Sequence, residues 1–343
     1  MRIAVFGWYG HENAGDERLK YCLNFYLMSL GGVQKIDFYD LHENAIKGKT
    51  NQFDHYDLII IGGGGLILSQ ANYHEFISGI QTKLAVLGVS VETELTGNPK
   101  KFAQALLEKS TIFLVRDQGS HEKLSALDIN KKVKISSDLT FLEPYETTGK
   151  SEGNAIGINL LAKISSRSFI RSNPIANSIL NRIGFPYNPK IISFREVVSK
   201  IQEKFDIKPI PFYCVKQNSN VVDCQKNDVN IMKKYFENVP ASFNHRDIDK
   251  KKFFISMRLH GLIFSIQKGV IPITFSTYPK QMNLMRDMGL GELLVNIDDP
   301  ISIMSHIDYA LANEDIIKEK ILEYNDNSRS LIKKDIQHLM NML

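Results

Sequence analysis

The sequence predicts an α/β protein with two domains, each built around a parallel β-sheet. Three observations support this prediction. With 343 residues, the chain is longer than one hydrophobic core usually allows. Short apolar runs alternate with helical patterns in both halves of the chain, which is typical of βαβ units. Apolar residues make up 43% of the chain and charged residues 23%, so there is ample material for two cores.

Residues 1–150 form the predicted first domain. Its strand-like apolar runs are Ile3–Phe6, Ile36–Tyr39, Leu58–Ile61, Leu84–Leu87 and Ile112–Val115. The helical patterns that fit between them include Glu17–Leu30 and Pro99–Glu108. Two of the strands run into glycine-bearing turns, which are expected where ligands approach the carboxyl ends of parallel strands.

Residues 151–325 form the predicted second domain, and residues 162–189, with three prolines, are a candidate linker or insertion. The predicted elements are strand Asn154–Leu160, helix Phe194–Phe205, strand Pro209–Val215, helix Asp228–Phe236, strand Phe253–Met257, helix Leu259–Lys268 and strand Val270–Phe275. Residues 326–343 have helical periodicity, with Asn327 or Ser328 as N-cap, and this helix could pack back on the first domain. Two such domains are expected to face each other across a cleft that holds the active site.

Composition excludes several classes of protein. A formal net charge of +4 is too small to indicate nucleic-acid binding, although it suits small anionic substrates. Three widely spaced cysteines indicate neither a disulfide framework nor a zinc site. No export signal and no membrane-spanning run is found, so a soluble cytoplasmic protein is expected.

One stretch has an unusual charge pattern. Residues 153–195 contain six basic residues and no Asp or Glu, with apolar side chains interleaved. Such a pattern predicts contact with a membrane surface, or with the lipid diphosphate of an acceptor, through residues 161–190. A surface insertion with incidental charge is the alternative.

The first candidate site follows the first strand, where a glycine-bracketed loop leads into a helix. Asn13, Asp16 and Glu17 stand at the expected N-terminus of this helix, which offers free N–H groups and a positive dipole end. The alternative is that Asp16 and Glu17 only complement the helix dipole in its first turn. The loop lacks the GxGxxG pattern, so dinucleotide binding is only weakly indicated.

Two further candidates follow later strands of the first domain. Gly63 and Gly64 belong to a run of four glycines that would let a ligand approach the backbone, or would simply form a tight turn. Arg116 ends the fifth strand and could grip a carboxylate or phosphate through its planar fork. A salt bridge between neighbours is the alternative for Arg116, and Asp138 is a further candidate beside it.

The sharpest pattern lies in the second domain. Arg258 and His260 follow one strand at the start of an apolar helix, and Tyr278 and Lys280 follow the next strand at the start of another. Two cations and an imidazole thus gather at two helix N-termini, which predicts an anion site. The imidazole can transfer protons near neutral pH, although a structural histidine is the alternative.

These motifs together resemble the polysaccharide pyruvyl transferase family. The resemblance covers most of residues 1–280, and its most specific part is Arg258-Leu259-His260 with the downstream Tyr278 and Lys280. It implies two Rossmann-like domains facing across a cleft, as in GT-B glycosyltransferases, with phosphoenolpyruvate bound there. Such enzymes form a pyruvate ketal on a sugar of a capsule or exopolysaccharide, or on its lipid-linked precursor. One departure is residues 88–92, where relatives often have a more glycine-rich turn.

The resemblance implies roles for the candidate residues. Arg258 and Lys280 would bind the donor, with Arg116 as a further anion clamp, and His260 would be the acid. Asp16 or Glu17 would act as base or orient the acceptor hydroxyl. The other implied substrate-binding residues are Leu259, Tyr278, Asn13, Gly63, Gly64 and Asp138. No metal and no cofactor besides the donor substrate is expected.

The resemblance also implies an acceptor that could be linked to undecaprenyl diphosphate, with the enzyme peripheral at the inner face of the cytoplasmic membrane. A GT-B glycosyltransferase with a nucleotide-sugar donor is the main alternative, because fold alone does not decide function. A non-catalytic sugar-binding or regulatory protein is a third. A nucleotide donor would need an acidic or aromatic grip on ribose and base, and none is clear after the strands of the second domain.

Overall fold

The computed structural model describes residues 1–127, 133–144, 153–161, 189–214 and 227–343. The chain divides into two compact units. Unit 1 is Met1–Pro144 together with Leu322–Leu343, and unit 2 is Tyr145–Ile321. Residues 162–188, which hold most of the predicted insertion and membrane-contact stretch, lie outside the described residues. Among the described helices, none is both long and apolar enough to cross a membrane.

Unit 1 contains a sheet of six parallel strands in the order β2-β1-β3-β4-β5-β6. The strands are β1 (Arg2–Gly7), β2 (Lys35–Asp40), β3 (Leu58–Ile67), β4 (Leu84–Val91), β5 (Ser110–Val115) and β6 (Val133–Ile135). The helices between them are α1 (Ala14–Ser29), α2 (Leu41–Lys47), α3 (His74–Gly79), α4 (Gly97–Lys109) and α5 (Gln118–Ser125). Every residue of β4 is buried, as expected for a central parallel strand covered on both faces.

Unit 2 repeats this plan with five parallel strands in the order β11-β10-β9-β7-β8. The strands are β7 (Ala155–Asn159), β8 (Asp206–Pro209), β9 (Phe253–Ser256), β10 (Ile271–Phe275) and β11 (Leu294–Val295). The described helices are α6 (Pro189–Gln202), α7 (Asp228–Met232), α8 (Leu259–Gln267), α9 (Pro279–Asp287) and α10 (Ile303–Ala312). Two parallel sheets with alternating helices confirm the predicted α/β class.

Both sheets reverse their direction of growth beside their first strand. The chain passes from β1 to β2 on one side and then crosses to β3 on the other; β7, β8 and β9 do the same. Open α/β sheets bind ligands outside the carboxyl ends of the strands at such a switch point. Unit 1 therefore offers a site between the ends of β1 and β3, and unit 2 offers one between the ends of β7 and β9.

The glycine run corrects the predicted end of the third strand. β3 does not stop at Ile61 but continues through the glycines to Ile67. Gly63 and Gly64 have positive φ angles of 77° and 87°, and the pairing with β4 is irregular after Gly64. An added Cβ on Gly63 would lie 2.9 Å from Leu19 Cδ1 on α1. The glycines thus let a helix pack closely on a strand that bends without ending.

The predicted strand Pro209–Val215 is also wrong, because β8 ends at Pro209. The backbone N–H groups of Phe212 and Tyr213 donate to the carboxylate of Asp228, at 2.9 and 3.1 Å, instead of extending the ladder. A buried side chain has therefore replaced the strand partner. Residues 215–226, where this prediction ended, lie outside the described residues.

The C-terminal helix is longer than the sequence predicted. α11 spans Glu314–Asn341, so Asn327 and Ser328 lie in its interior and neither is its N-cap. An N-cap is needed only where first-turn N–H groups lack carbonyls, and here the preceding helical turns supply them. Ile317 and Ile321 extend the buried apolar periodicity upstream of the segment that the prediction used.

We expect Gly63→Ala to destabilise the protein more than Gly31→Ala, although both glycines have left-handed φ angles, 77° and 74°. The backbone strain costs about 1–2 kcal/mol at either position. Only Gly63 is crowded by Leu19, since Gly31 faces open space, and overpacking adds about 1–3 kcal/mol. Urea unfolding of both variants measures the difference. Equal losses would contradict tight packing of α1 on β3.

Candidate functional site

The switch point of unit 2 is organised by one fully buried carboxylate, that of Asp228 at the start of α7. Its Oδ2 accepts hydrogen bonds from Asn159 Nδ2 at 2.9 Å and from the two backbone N–H groups of residues 212 and 213. Its Oδ1 accepts from Arg258 Nη2 at 2.6 Å. Asn159 ends β7 and Arg258 follows β9, so the carboxylate joins the two strands that flank the switch point.

Arg258 is held in a defined position by this contact. Its Nε also lies 3.4 Å from Asp228 Oδ2, and its guanidinium lies over the Tyr213 ring at 5.5 Å from the centroid. Burial by itself lowers the pKa of Arg258, but the Asp228 carboxylate outweighs burial and the pKa is raised. The side chain keeps 23% exposure. The pair carries no net charge, so further positive potential at this edge must come from other groups.

Two helix starts beside Arg258 provide that potential. Arg258 and Tyr278 are the N-caps of α8 and α9, and His260 and Lys280 are the second residues of those helices. Because β9 and β10 are neighbouring parallel strands, the four residues occupy equivalent places on one edge of the sheet. Lys280 Nζ lies 5.7 Å from the Tyr278 ring centroid. The structure thus brings the predicted residues of the second domain to a single edge.

Local packing fixes these helix starts. Ser256 Oγ accepts from Arg258 N at 3.0 Å, and a Cβ on Gly261 would lie 2.2 Å from that same oxygen. Gln281 Oε1 accepts from Tyr278 N at 3.1 Å, while Gln281 Nε2 donates to the carbonyl of Met257. The start of α9 is therefore tied to the end of β9. Leu259, the remaining predicted residue, is buried, and the ring of His260 lies 5.9 Å from that of Phe264.

The switch point of unit 1 holds the predicted residues at the start of α1, whereas Arg116 and Asp138 follow β5 and β6. Asn13 is the N-cap of α1, and its Oδ1 accepts from Gly15 N at 3.1 Å. Asp16 is buried in the first turn, where an added Cβ on Gly64 would lie 3.1 Å from Asp16 Oδ1. Glu17 Oε1 accepts from the backbone N–H of Gly10 at 2.6 Å, which pins the preceding loop.

Tyr9 connects this group of residues to the neighbouring strand β3. Its hydroxyl donates to the carbonyl of Gly62 at 2.6 Å, which joins the end of β1 to the middle of β3. Burial, and then the charges of Asp16, Glu17 and Asp138, raise the pKa of Tyr9 above its ordinary value. The phenol therefore stays protonated and keeps donating at neutral pH.

Arg116 lies in a buried ionic network. Its Nη1 donates to Asp138 Oδ2 at 2.9 Å, its Nη2 donates to Ser90 Oγ at 2.8 Å, and Glu92 Oε1 lies 3.7 Å away. Burial lowers the pKa of Arg116, but Asp138, Glu92 and Asp117 outweigh burial and raise it. Two carboxylates around one guanidinium favour a role in holding the ends of β4 and β5 together. The anion-clamp role stays a prediction.

Sequence reasoning missed several residues at these edges. Asp228 stands thirty positions before Arg258, and no spacing rule connects the two. Ser90 and Glu92 fall in the residue 88–92 stretch that departs from the family pattern, and that departure was the available signal. Asn159, which ends a strand, could have been found by asking which polar residues terminate buried runs. Among the described residues, no group of three or more His, Cys, Asp or Glu side chains could hold a metal ion.

Comparison with known proteins identifies the family. A family model described as polysaccharide pyruvyl transferase matches residues 13–277. The chain belongs to the polysaccharide pyruvyl transferase family. This confirms the resemblance drawn from the motifs and places the chain among transferases of polysaccharide biosynthesis. A comparison with curated protein sequences gives no match.

Solved structures that resemble this chain include a UDP-bound protein and UDP-N-acetylglucosamine 2-epimerases. S. aureus MnaA, solved with UDP, has a TM-score of 0.54 at 10% identity, covering 100% of this chain and 97% of that one. A putative UDP-N-acetylglucosamine 2-epimerase from Listeria monocytogenes has a TM-score of 0.53 at 11% identity, covering 98% of this chain and 94% of that one. The UDP-GlcNAc 2-epimerase from Neisseria meningitidis, bound to UDP-GlcNAc, has a TM-score of 0.51 at 10% identity, covering 99% of this chain and 100% of that one. Such low identities show the fold alone, and they confirm the predicted GT-B-like class.

We expect Asp228→Asn to lower the free energy of unfolding by about 3 kcal/mol, because the Arg258 guanidinium loses its buried counter-charge. Asp206→Asn is the matched control in the same unit. Its partner Lys208 is 2.9 Å away and both side chains are exposed, so the loss should stay within about 1 kcal/mol. Urea denaturation measures both. Similar losses would show that Asp228 does not organise this edge.

We expect Arg116→Met to destabilise by about 3 kcal/mol, since Asp138 and Glu92 would be left without their shared cation. Lys47→Met, which removes an exposed pair with Glu43, should cost less than about 1 kcal/mol. Thermal and urea unfolding compare the two variants. A stable Arg116→Met protein would refute the structural role and leave the anion-clamp prediction as the better account.

Proposed function

We propose that the protein transfers pyruvate from phosphoenolpyruvate to a sugar and closes a pyruvate ketal on two neighbouring hydroxyls. One observation carries this proposal: Arg258, His260 and Lys280 lie at the starts of two helices that follow neighbouring parallel strands, on one edge of unit 2. Helix N-termini and fixed cations suit a small ligand with a carboxylate and a phosphate. Family membership supports the same reaction class.

In this proposal Lys280 and the N-terminus of α9 bind the donor's phosphate. Arg258, oriented by Asp228, binds the carboxylate through hydrogen bonds from its guanidinium. Because the Arg258–Asp228 pair is neutral overall, it positions the carboxylate of the donor but neutralises little of its charge. That balance suits the chemistry, since excess positive charge would disfavour a cationic centre at C2.

The reaction needs an acid and a base. His260 protonates the methylene carbon of phosphoenolpyruvate, which makes C2 electrophilic, or protonates the departing phosphate. One sugar hydroxyl attacks C2 and loses its proton; phosphate then leaves with the C2–O electron pair. The neighbouring hydroxyl then attacks the same carbon, loses its proton and closes the ring. Of the two hydroxyl protons, one replaces the proton given to the methylene carbon and the other is carried by the released phosphate. No oxidation or reduction takes place in these steps.

The acceptor is proposed to bind at the switch point of unit 1. Asp16, buried beside Gly64, is the proposed base, with Asn13 and Asp138 as further polar contacts. Glu17 supports the site indirectly, because its carboxylate holds the backbone of Gly10. We further propose that the acceptor sugar belongs to a cell-surface polysaccharide or its lipid-linked precursor. Membrane contact through residues 161–190 stays a prediction.

A nucleotide-sugar donor is the competing function, and the UDP ligands of the structural neighbours give reason to test it. Thermal unfolding in the presence of phosphoenolpyruvate, UDP-GlcNAc or UDP separates the two. Stabilisation by phosphoenolpyruvate and not by the uridine ligands is expected. The reverse result would favour glycosyl transfer or a related reaction.

We expect His260→Ala to lower kcat by about 10²–10⁴-fold with little change in KM for phosphoenolpyruvate, as removal of a general acid does. His306→Ala, on α10 of the same unit, is the control. Phosphate release and mass spectrometry of a saccharide acceptor measure turnover. Near-normal turnover of His260→Ala would exclude the acid role.

We expect Lys280→Ala to weaken donor binding roughly 10- to 100-fold, the loss of one charge-assisted contact. Lys208→Ala removes an exposed lysine of the same unit and should leave affinity unchanged. Calorimetric titration with phosphoenolpyruvate compares the two. Equal affinities would remove Lys280 from the donor site.

A further inference from the structure

Trp8 is an exposed aromatic residue at the switch point of unit 1. It is the only tryptophan in the chain, it directly follows β1, and its exposure is 39%. Leaving so large an apolar ring in water forgoes the free energy that burial would provide. The neighbouring Tyr9, by contrast, is buried and hydrogen-bonded. Trp8 is therefore placed at the site edge without serving the core.

The indole is held by a chain of contacts. Its ring stacks on that of His11, with centroids 3.8 Å apart and planes 18° apart. His11 Nε2 lies 2.7 Å from Asp40 Oδ2, and Asp40 Oδ1 accepts from Glu43 N at 2.5 Å as the N-cap of α2. The start of α2 thus holds Asp40, Asp40 holds His11, and His11 holds the indole of Trp8. Since His11 covers one face, the exposed area of the indole is on its other face and edge.

The loop that carries Trp8 is also fixed. Glu17 binds the backbone of Gly10, which has a φ of 86°, and Glu12 has a φ of 55°. A non-glycine residue in the left-handed region is uncommon and persists only where its surroundings impose it. The exposed ring is therefore presented in one orientation, which lowers the entropy lost when a ligand stacks on it.

We propose that Trp8, supported by His11 and Asp40, is a stacking platform for a pyranose ring of the saccharide acceptor. The inference rests on the proposed function, for which it names the sugar-binding surface. A pyranose presents an apolar face of C–H groups with hydroxyls around its rim. An indole matches the apolar face, and nearby carboxylates accept hydrogen bonds from the hydroxyls.

The charges of this edge favour a sugar over a nucleotide. A nucleobase could also stack on an indole, but the phosphates of a nucleotide would meet the carboxylates of Asp16, Glu17 and Asp40. Asp138 and Glu92 surround Arg116 a short distance along the same strand ends. Repulsion between like charges in a partly buried site disfavours an anionic ligand here.

Intrinsic fluorescence tests the platform directly, since every tryptophan photon comes from Trp8. The probes are methyl glycosides of glucose, galactose, mannose and N-acetylglucosamine, titrated against the full chain, with UDP as the nucleotide probe. A saturable emission change with at least one glycoside, and protection of Trp8 from acrylamide quenching, are expected. A response to UDP and to no glycoside would overturn the assignment.

Variants add a second readout. With an acceptor that is turned over, Trp8→Ala should raise the acceptor KM about five- to tenfold, with phosphoenolpyruvate affinity unchanged, and Trp8→Phe should recover part of the loss. Phe25→Ala, which removes another exposed aromatic ring (50% against 39% for Trp8) from α1, is the matched control. Circular dichroism checks that each variant folds.

The outcomes separate the two proposals. An unchanged acceptor KM in folded Trp8→Ala, or no emission change with a sugar that is turned over, would overturn the platform and leave pyruvyl transfer standing. Saturable glycoside binding at Trp8 without any turnover of phosphoenolpyruvate would support the platform and overturn the proposed reaction.

Discussion

The reversal of strand order beside the first strand of each sheet is the constraint on which both candidate sites depend. Neighbouring crossovers leave that point in opposite directions, so the strand ends there are not capped by a shared connection. Polar groups can gather at such a gap. In unit 1 Tyr9 bridges β1 to β3, and in unit 2 the Asp228 carboxylate bridges β7 to β9. Each unit thus uses one buried polar group to join the two flanking strands.

Each unit contains an arginine paired with a buried carboxylate, and the surroundings of the two pairs differ. Arg116 and Arg258 each follow a strand and each pairs with a buried carboxylate, Asp138 or Asp228. Arg116 has a second carboxylate close by and is almost fully covered, so its surroundings are net acidic. Arg258 has one buried partner, keeps some exposure and stands beside two helix starts. These differences in local charge are what the proposed assignment of an acceptor to one edge and an anionic donor to the other depends on.

Most of the fold could be predicted from the sequence because buried parallel strands appear as short apolar runs, as at Ile3–Phe6 and Phe253–Met257. Errors arose where tertiary contacts outweighed local signals. The glycines after Ile61 remained in the strand, where α1 packs against them, and the backbone N–H groups of Phe212 and Tyr213 donate to the Asp228 carboxylate, fifteen or more positions away. The placement of Arg258, His260 and Lys280 at helix starts that follow buried strands was predictable from the sequence. Asp228 and Trp8 were not, since their partners come together only through strand order and side-chain stacking.

The last helix makes unit 1 discontinuous in sequence, because unit 2 lies between its two segments. α11 begins in unit 2, and its residues from Leu322 onward belong to unit 1, whose core includes Ile332, Ile336 and Leu339. During synthesis the segment that completes unit 1 therefore leaves the ribosome only after the whole of unit 2. Until then, the part of unit 1 that this segment covers stays exposed while the whole of unit 2 is translated. The folding of unit 1 is in this way tied to the synthesis of unit 2 and of α11.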